Sequence, residues 1–127
     1  MSKSKAKTKP KFGRPKFMPG QKLGDNLVYV GIIQDYHLLC WENDEPDIIR
    51  WDYANKFLAD AVPNREELSL MFANKILIGG FRNGDYWSST ELYNVTAWSQ
   101  RFSDGSQFGN CKSEGFRVRC VRRVKFK

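Results

Sequence analysis

The sequence has few of the residues that build metal sites and disulfide frameworks. Histidine occurs only once, as His37. The cysteines are an odd number and show no C-x-x-C spacing: Cys40, Cys111 and Cys120. Such a set predicts neither a zinc site nor a disulfide scaffold. It favours a reducing compartment, or a virus particle assembled in one.

The common catalytic motifs are also absent. The chain contains no G-x-S-x-G nucleophile elbow, no G-x-x-x-x-G-K-[ST] phosphate loop and no H-E-x-x-H zinc helix. His37 lies within a β-rich run, where a half-buried structural role is the usual one. The polar segment Asn43–Asp47 does not have the spacing of a calcium loop, and Pro46 predicts a strand break there. We therefore expect no enzyme, no cofactor and no bound metal.

Long apolar runs are missing as well. A signal peptide carries about seven to fifteen apolar residues after its basic start, and a membrane span needs roughly twenty. The sequence contains neither pattern. It predicts no Sec-dependent export and no membrane span.

Acidic residues are absent from positions 1–22, which hold eight lysines and arginines. This segment cannot bury enough apolar surface to fold alone. We expect a basic, flexible arm over 1–22 and a single folded domain over 23–127. Positions 23–116 hold seven basic and 14 acidic residues, a net charge of −7. Any contact with nucleic acid is therefore expected at the ends of the chain.

The arm has two interpretations. It is either a solvated tail or a docking element for an acidic partner, whether a protein assembly, a nucleic acid or a membrane surface. In the docking role its anchor residues are the cations and two phenylalanines: Lys3, Lys5, Lys7, Lys9, Lys11, Phe12, Arg14, Lys16 and Phe17. Such a contact weakens as salt rises.

The sequence of the first half of the folded domain predicts a hairpin followed by two helices. The apolar runs 27–33 and 36–41 flank a polar pair, which is a hairpin signal. Helical spacing from Trp51 to Ala61 predicts the first helix. The segment PNREELSLMFANK predicts the second, with Asn64 as the cap and Glu67 closing a capping box. Its buried stripe is Leu68, Met71 and Phe72.

The second half predicts short strands and turns. Gly79 and Gly80 end the helical region, and the strand framework after them includes the run Arg117–Cys120. Helices in the middle and strands at both ends predict an α+β domain whose terminal strands pair.

Four segments carry a resemblance to a known family: VPNREELSLMFANK, GGFRNGDYWSSTE, AWSQRFSDGSQ and KSEGFRVRCVR. From about Gly20 to Val124 the chain resembles the Lcl C-terminal-like family of bacterial and phage domains. The resemblance implies a C-type-lectin-like fold with two helices, in which the terminal strands pair and the last strands display ligand-contacting residues. Members usually carry Trp-Arg-Leu before a Pro-Thr pair. Here Ala61 and Val62 precede Pro63, so this corner must pack differently.

The same segments are similar to the variable proteins of diversity-generating retroelements. In those proteins template adenines are mutated while a lectin-like scaffold stays intact. Asn codons changed at adenine reach Phe, Gly, Cys and Ser, which covers Phe108–Cys111, whereas Gln100 and Glu114 are not reachable. This interpretation explains why a patterned strand framework from Ala97 to Arg122 carries unpatterned residues between its fixed positions.

These residues predict a ligand-binding face. Tyr, Arg and Phe are typical hot-spot residues, and Ser and Asn adapt around them. The candidate positions are Tyr93, Asn94, Thr96, Ser99, Arg101, Ser106, Phe108, Asn110, Cys111, Ser113 and Phe116. The alternative is that they are ordinary exposed positions without a ligand.

Two functions follow from these features. The first is a display module, in a phage virion or the bacterial cytoplasm, that binds a cell-surface protein or glycan and attaches to a larger assembly through its arm. The second is a structural or nucleic-acid-associated protein in which the arm binds and the folded domain is a plug or spacer. An enzymatic alternative, by analogy with formylglycine-generating enzymes of related fold, would need Cys111 and Cys120 to pair.

Overall fold

The computed structural model of the chain describes residues 17–126, and these form an α+β structure with antiparallel sheets, as predicted. Of the predicted arm anchors only Phe17 lies within this range. The others, Lys3 to Lys16, lie outside the described residues. Among residues 17–126, no helix is long and apolar enough to cross a membrane.

The terminal strands form one sheet. The predicted hairpin is present as β1 (Leu27–Ile33) and β2 (Tyr36–Trp41). Gln34 takes the left-handed φ of 51° in its turn, a conformation that tight hairpin turns require. The last strand is numbered β8 (Val121–Lys125) and pairs with β2, so the order is β1-β2-β8. The C-terminal strand therefore joins the N-terminal hairpin, as expected.

The residues just before β1 cover its outer edge. The Gly20 amide donates to the Tyr29 carbonyl, and the Tyr29 amide donates to the Gln21 carbonyl, both at 2.8 Å. Lys22 forms a further bridge with Val28. Gly20 has φ 92°, and a Cβ there would lie 2.5 Å from the Leu77 carbonyl oxygen. Glycine is therefore required for the chain to pass this point.

In sequence, the helices follow the β1–β2 hairpin. They are α1 (Trp51–Phe57), a 3₁₀ turn (Ala59–Ala61), α2 (Arg65–Ala73) and α3 (Lys75–Ile78). Both predicted helices are present, and α3 is a short addition that ends at Gly79. The predicted capping box is confirmed, since the Glu67 amide donates to Asn64 Oδ1 and the Asn64 amide to Glu67 Oε1, each at 2.8 Å. Leu68 and Met71 are buried.

The second large sheet carries the candidate site. It consists of β4 (Asp85–Tyr93), β5 (Thr96–Arg101) and β6 (Gln107–Cys111) in the order β4-β5-β6. A two-stranded ribbon pairs β3 (Ile49–Arg50) with β7 (Gly115–Phe116). In the described chain β6 is therefore an edge strand.

The prediction of a strand over Arg117–Cys120 was wrong. Arg117 makes only an isolated bridge with Tyr86, and β8 begins at Val121. Val118, Arg119 and Cys120 are all buried. A strand exposes alternate residues to opposite faces, whereas this segment passes through the interior, so its carbonyls bond to Glu45 and Trp41 instead.

The interior has two apolar clusters. The first lies between the β1-β2-β8 sheet and α2 and includes Leu38, Leu68 and Phe102. The second lies between α1 and the β4-β5-β6 sheet and includes Ala54, Trp87 and Val118. The β4-β5-β6 sheet is thus held against helices and against the segment before β8.

Candidate ligand-binding face

Strand register divides the predicted site residues between the two faces of the β4-β5-β6 sheet. Directly paired residues in antiparallel strands point to the same face. Ser99 pairs with Phe108, and Arg101 pairs with Asp85. Asn110 pairs with Ala97, two residues before Ser99. One face therefore gathers four of the predicted residues, and we call it the Arg101–Phe108 face: Ser99, Arg101, Phe108 and Asn110.

Arg101 and Phe108 form the exposed part of this face. The Arg101 guanidinium carbon lies 4.8 Å from the centre of the Phe108 ring, in cation–π geometry. Phe108 is 39% exposed. The guanidinium is only loosely paired, with Nε 3.7 Å from Asp85 Oδ1 and Nη1 3.9 Å from Asp104 Oδ2. An aromatic ring and a cation are therefore both available to a ligand.

The two acidic partners of Arg101 were not identified from the sequence as site residues. Asp104 lies in the turn after β5, where Gly105 has φ 85°. The Ser106 amide donates to Asp104 Oδ1 at 2.9 Å. This bond and a second from the Ser106 side chain lower the pKa of Asp104. Ser106 therefore acts here by fixing a charged neighbour of Arg101.

Ser99 is a buried member of this face. It is only 1% exposed, so the expectation that it contacts a ligand was wrong. Asn110 Nδ2 donates to Ser99 Oγ at 2.7 Å, and Ser99 Oγ donates to the Phe108 carbonyl at 3.4 Å. The serine pairs with Trp87 on β4, a fully buried member of the second apolar cluster, and it is buried beside this side chain.

Three other predicted residues lie on the opposite face. Thr96 pairs with both Cys111 and Tyr93, and it has the opposite parity from Ser99 and Arg101 along β5. The prediction of one continuous face through all of these positions was therefore wrong. Tyr93 is 71% exposed and, with Asn94, lines a separate cleft of about 470 Å³ at the β4–β5 turn.

The last two predicted positions also separate. Ser113 lies exposed in the turn between β6 and β7. Phe116 packs on Trp87, with ring centres 4.6 Å apart, and its exposure is intermediate. Phe116 therefore packs against the second apolar cluster, and its contact with a ligand stays a prediction.

A network from α2 fixes the back of the sheet. The Arg65 guanidinium carbon lies 3.7 Å from the centre of the Trp98 ring. Arg65 Nε donates to Gln107 Oε1 at 2.8 Å. Gln107 Nε2 in turn donates to Ser69 Oγ at 3.1 Å. The sequence did not indicate these contacts, because nothing in the spacing of residues 65, 98 and 107 shows that they meet.

A second exposed surface was not predicted. A cleft of about 480 Å³ runs along β3 and the start of α1. Ile48, Tyr53 and Phe57 are exposed there, and the two aromatic rings lie 4.5 Å apart. Arg50 and Asp52 also line this cleft, so it carries both a positive and a negative side chain.

The polar loop before β3 has a structural role. Asp44 accepts a hydrogen bond from Arg119 Nε at 2.8 Å and another from the Tyr86 hydroxyl at 2.6 Å. Its carboxylate is thus engaged with buried partners. Within residues 17–126, no three His, Cys, Asp or Glu side chains are grouped so that they could hold a metal ion.

The cysteines are free thiols. Burial, reinforced by the charge of Glu45, raises the pKa of Cys120 to about 12. Burial likewise raises the pKa of Cys40 to about 11. Only Cys111 is exposed. Since the thiolate is the reactive form of cysteine, the two buried residues are poor nucleophiles.

Comparison with known proteins gives no family to which the chain can be assigned: no protein-family model matches it, and no curated protein matches it significantly.

Proposed function

We propose that the protein is a ligand-binding display module of C-type-lectin-like fold. In this proposal the Arg101–Phe108 face contacts a protein or glycan on a cell surface. The basic arm attaches the chain to a larger assembly, such as a phage particle.

The observation that carries the proposal is the exposed pairing of Arg101 with Phe108. Arginine and aromatic residues are the types that dominate binding energy at interfaces. Here the cation lies on the central strand β5 and the ring on the edge strand β6, 4.8 Å apart. The back of the same strands is fixed to α2 through Arg65. A rigid support lowers the entropic cost of binding at the front.

The sequence resemblance adds to this argument. The blocks that resemble the Lcl C-terminal-like family cover α2 and most of β4 and β5, and that family is expected to present ligand-contacting residues on its last strands. The resemblance to variable proteins of diversity-generating retroelements gives a reason for the unpatterned residues in β6. Phe108 and Asn110 are then positions that can change without loss of the fold.

The test compares binding of two double variants. Full-length protein is applied to a glycan panel and to bacterial cell-envelope fractions treated with protease or with periodate. We expect binding by the native chain and loss of at least tenfold in affinity for Arg101→Ala/Phe108→Ala. The control is Arg82→Ala/Phe57→Ala, which removes an exposed arginine and phenylalanine elsewhere.

The outcome separates the ligand classes. Loss of binding after protease treatment identifies a protein ligand, and loss after periodate identifies a glycan. If the native chain and the Arg101→Ala/Phe108→Ala variant bind equally, the face is not the binding site. Neutralising the arm with Lys→Gln changes at positions 3, 5, 7, 9 and 11 should leave ligand binding intact.

A further inference from the structure

We propose that the outer face of the β1-β2-β8 sheet binds single-stranded nucleic acid. The inference goes beyond the display role proposed above, and residues of the described sheet carry it. It does not depend on the ligand of the Arg101–Phe108 face, which lies on the other large sheet.

Strand register defines this outer face. Val28, Leu38 and Val121 point to the first apolar cluster, so residues of the alternate parity point away from α2. Pairing joins Tyr29 to Leu39, Leu39 to Arg122, and His37 to both Ile32 and Val124. We call this set, with two flanking phenylalanines, the terminal-sheet face: Phe17, Tyr29, Ile32, His37, Leu39, Arg122, Val124 and Phe126.

Four aromatic side chains form a fixed cluster on the terminal-sheet face. The Tyr29 hydroxyl and His37 Nδ1 lie 2.9 Å apart. The Phe17 ring packs on both, with centres at 5.4 and 5.9 Å, and the Phe126 ring packs edge-on against His37 at 4.7 Å. Phe17 is 40% and Phe126 is 41% exposed. Two rings are therefore held in place on a buried base while part of each remains open to solvent.

Such rings suit unpaired bases. Every base has a flat face, so it can stack on an aromatic side chain whatever its identity. Sheet surfaces that carry aromatic residues use this contact to bind single strands, because the bases of a duplex are already stacked on one another. Ile32 and Val124, both exposed, extend the apolar surface on which bases and sugars can lie.

Charge favours a polyanion over a neutral partner. The strands β1, β2 and β8 contain no aspartate or glutamate, although the middle of the chain is acidic. Arg122 lies on the terminal-sheet face and makes no ion pair with any residue in the range 17–126. The nearby acids Glu42 and Asp35 are each paired with a lysine, at 2.7 and 3.4 Å.

The position of Phe17 connects this face to the arm. Phe17 is the first described residue, and its ring already lies on Tyr29 and His37. The preceding 16 positions hold seven lysines and arginines and no acid. The segment that precedes Phe17 in the chain therefore carries the type of charge that neutralises phosphates. An acidic protein would also satisfy the charges, but a nucleotide strand offers a flat base at every position for stacking on these rings.

The test measures full-length protein by fluorescence anisotropy against three probes: a labelled 20-nucleotide oligothymidylate, heparin and polyglutamate. Heparin and polyglutamate are polyanions without bases. We expect Phe17→Ala/Phe126→Ala to lose roughly tenfold or more in affinity for the oligonucleotide, since each stacked base contributes strongly. Its affinity for heparin should change less than twofold.

Two matched controls accompany this variant. Phe57→Ala removes an exposed aromatic ring on α1, and Arg82→Ala removes an exposed cation that is also outside the sheet. Both should bind the oligonucleotide as the native chain does, whereas Arg122→Ala should weaken it and reduce the salt dependence. Near-UV circular dichroism of each variant checks that the fold is kept.

Three results would overturn the inference. These are no binding of the oligonucleotide by the native chain, equal losses for oligonucleotide and heparin in Phe17→Ala/Phe126→Ala, and binding of polyglutamate as tight as that of the oligonucleotide. The Arg101→Ala/Phe108→Ala variant should retain oligonucleotide affinity. Failure of the cell-surface ligand search therefore leaves this measurement intact, and the reverse also holds.

Discussion

Replacing Glu67 by glutamine should destabilise the protein and flatten its stability at acid pH. Glu67 is fully buried and closes the capping box of α2. Its carboxylate also accepts hydrogen bonds from Arg123 Nη2 at 2.7 Å and from the Tyr36 hydroxyl at 2.6 Å. The side chain thus joins α2 to both β2 and β8.

The size of the effect follows from these partners. Glutamine keeps the shape and the bond to the Asn64 amide, but its NH₂ group faces donors where the carboxylate accepted them. Breaking a fully buried pair costs about 3 to 5 kcal/mol. Arg123 is 31% exposed, and water compensates it in part. We therefore expect a loss of about 2 to 3 kcal/mol in the free energy of unfolding.

The pH dependence has a definite sign. Burial alone would raise the pKa of Glu67, but hydrogen bonds from Arg123, Tyr36 and the Asn64 amide together hold it below the ordinary value. A lowered pKa in the folded state stabilises above the unfolded pKa of about 4.3, and this stability is lost as pH falls from there through the folded pKa. The native chain should lose this stabilisation as the pH falls. The Glu67→Gln variant has no carboxylate at this position, so its stability should depend less on pH in this range.

The assay is urea unfolding at pH 7 and at several values below 4.5, with Glu66→Gln as the control. Glu66 lies in the same helical turn but is exposed, so its replacement should cost at most about 0.5 kcal/mol through the helix dipole. If Glu67→Gln and the native chain lose stability in parallel as pH falls, or if Glu66→Gln costs as much, the network does not act as described.

Three further outcomes are expected. Trp98→Ala should lower the free energy of unfolding by about 3 kcal/mol or more and Asn110→Ala by about 1 kcal/mol or less; equal losses in thermal melts would contradict the division into framework and face. Calcium and chelator should leave the melting temperature unchanged, whereas a metal-dependent rise would reveal a bound ion. A thiol reagent should modify only Cys111 in the native protein, because Cys40 and Cys120 are buried with raised pKa values; rapid modification of all three would contradict the burial.

Local sequence pattern was sufficient to predict most of the helices and strands, but not how they pack against one another. The hairpin and the capping box were predicted because turn residues and caps act within a few positions of one another. The helix α3 was missed because four residues are too few to show a period. The run Arg117–Cys120 was misassigned, since its alternating residue types match a strand while its burial depends on contacts with residues distant in sequence, such as Ala54 and Trp87.

The candidate site shows the same limit. Residue types indicated a binding surface around Arg101 and Phe108, and the structure brings these two together. The side of the sheet on which each residue lies depends on strand register, which the sequence between Tyr93 and Cys111 does not reveal. Ser99 was therefore taken as exposed, and Thr96 and Cys111 were placed on the wrong face.

The alternation along β6 has a consequence for how this surface can evolve. Gln107 points toward α2, whereas Phe108 and Asn110 point away from it. Substitutions at Phe108 and Asn110 leave the Arg65–Gln107 anchor of the strand untouched, so these positions can change one residue at a time. A deletion of one residue in β6 would exchange the two faces. Such a chain would place phenylalanine against Arg65 and leave the anchoring glutamine in solvent. The fold therefore tolerates substitutions in this strand but not changes of its length.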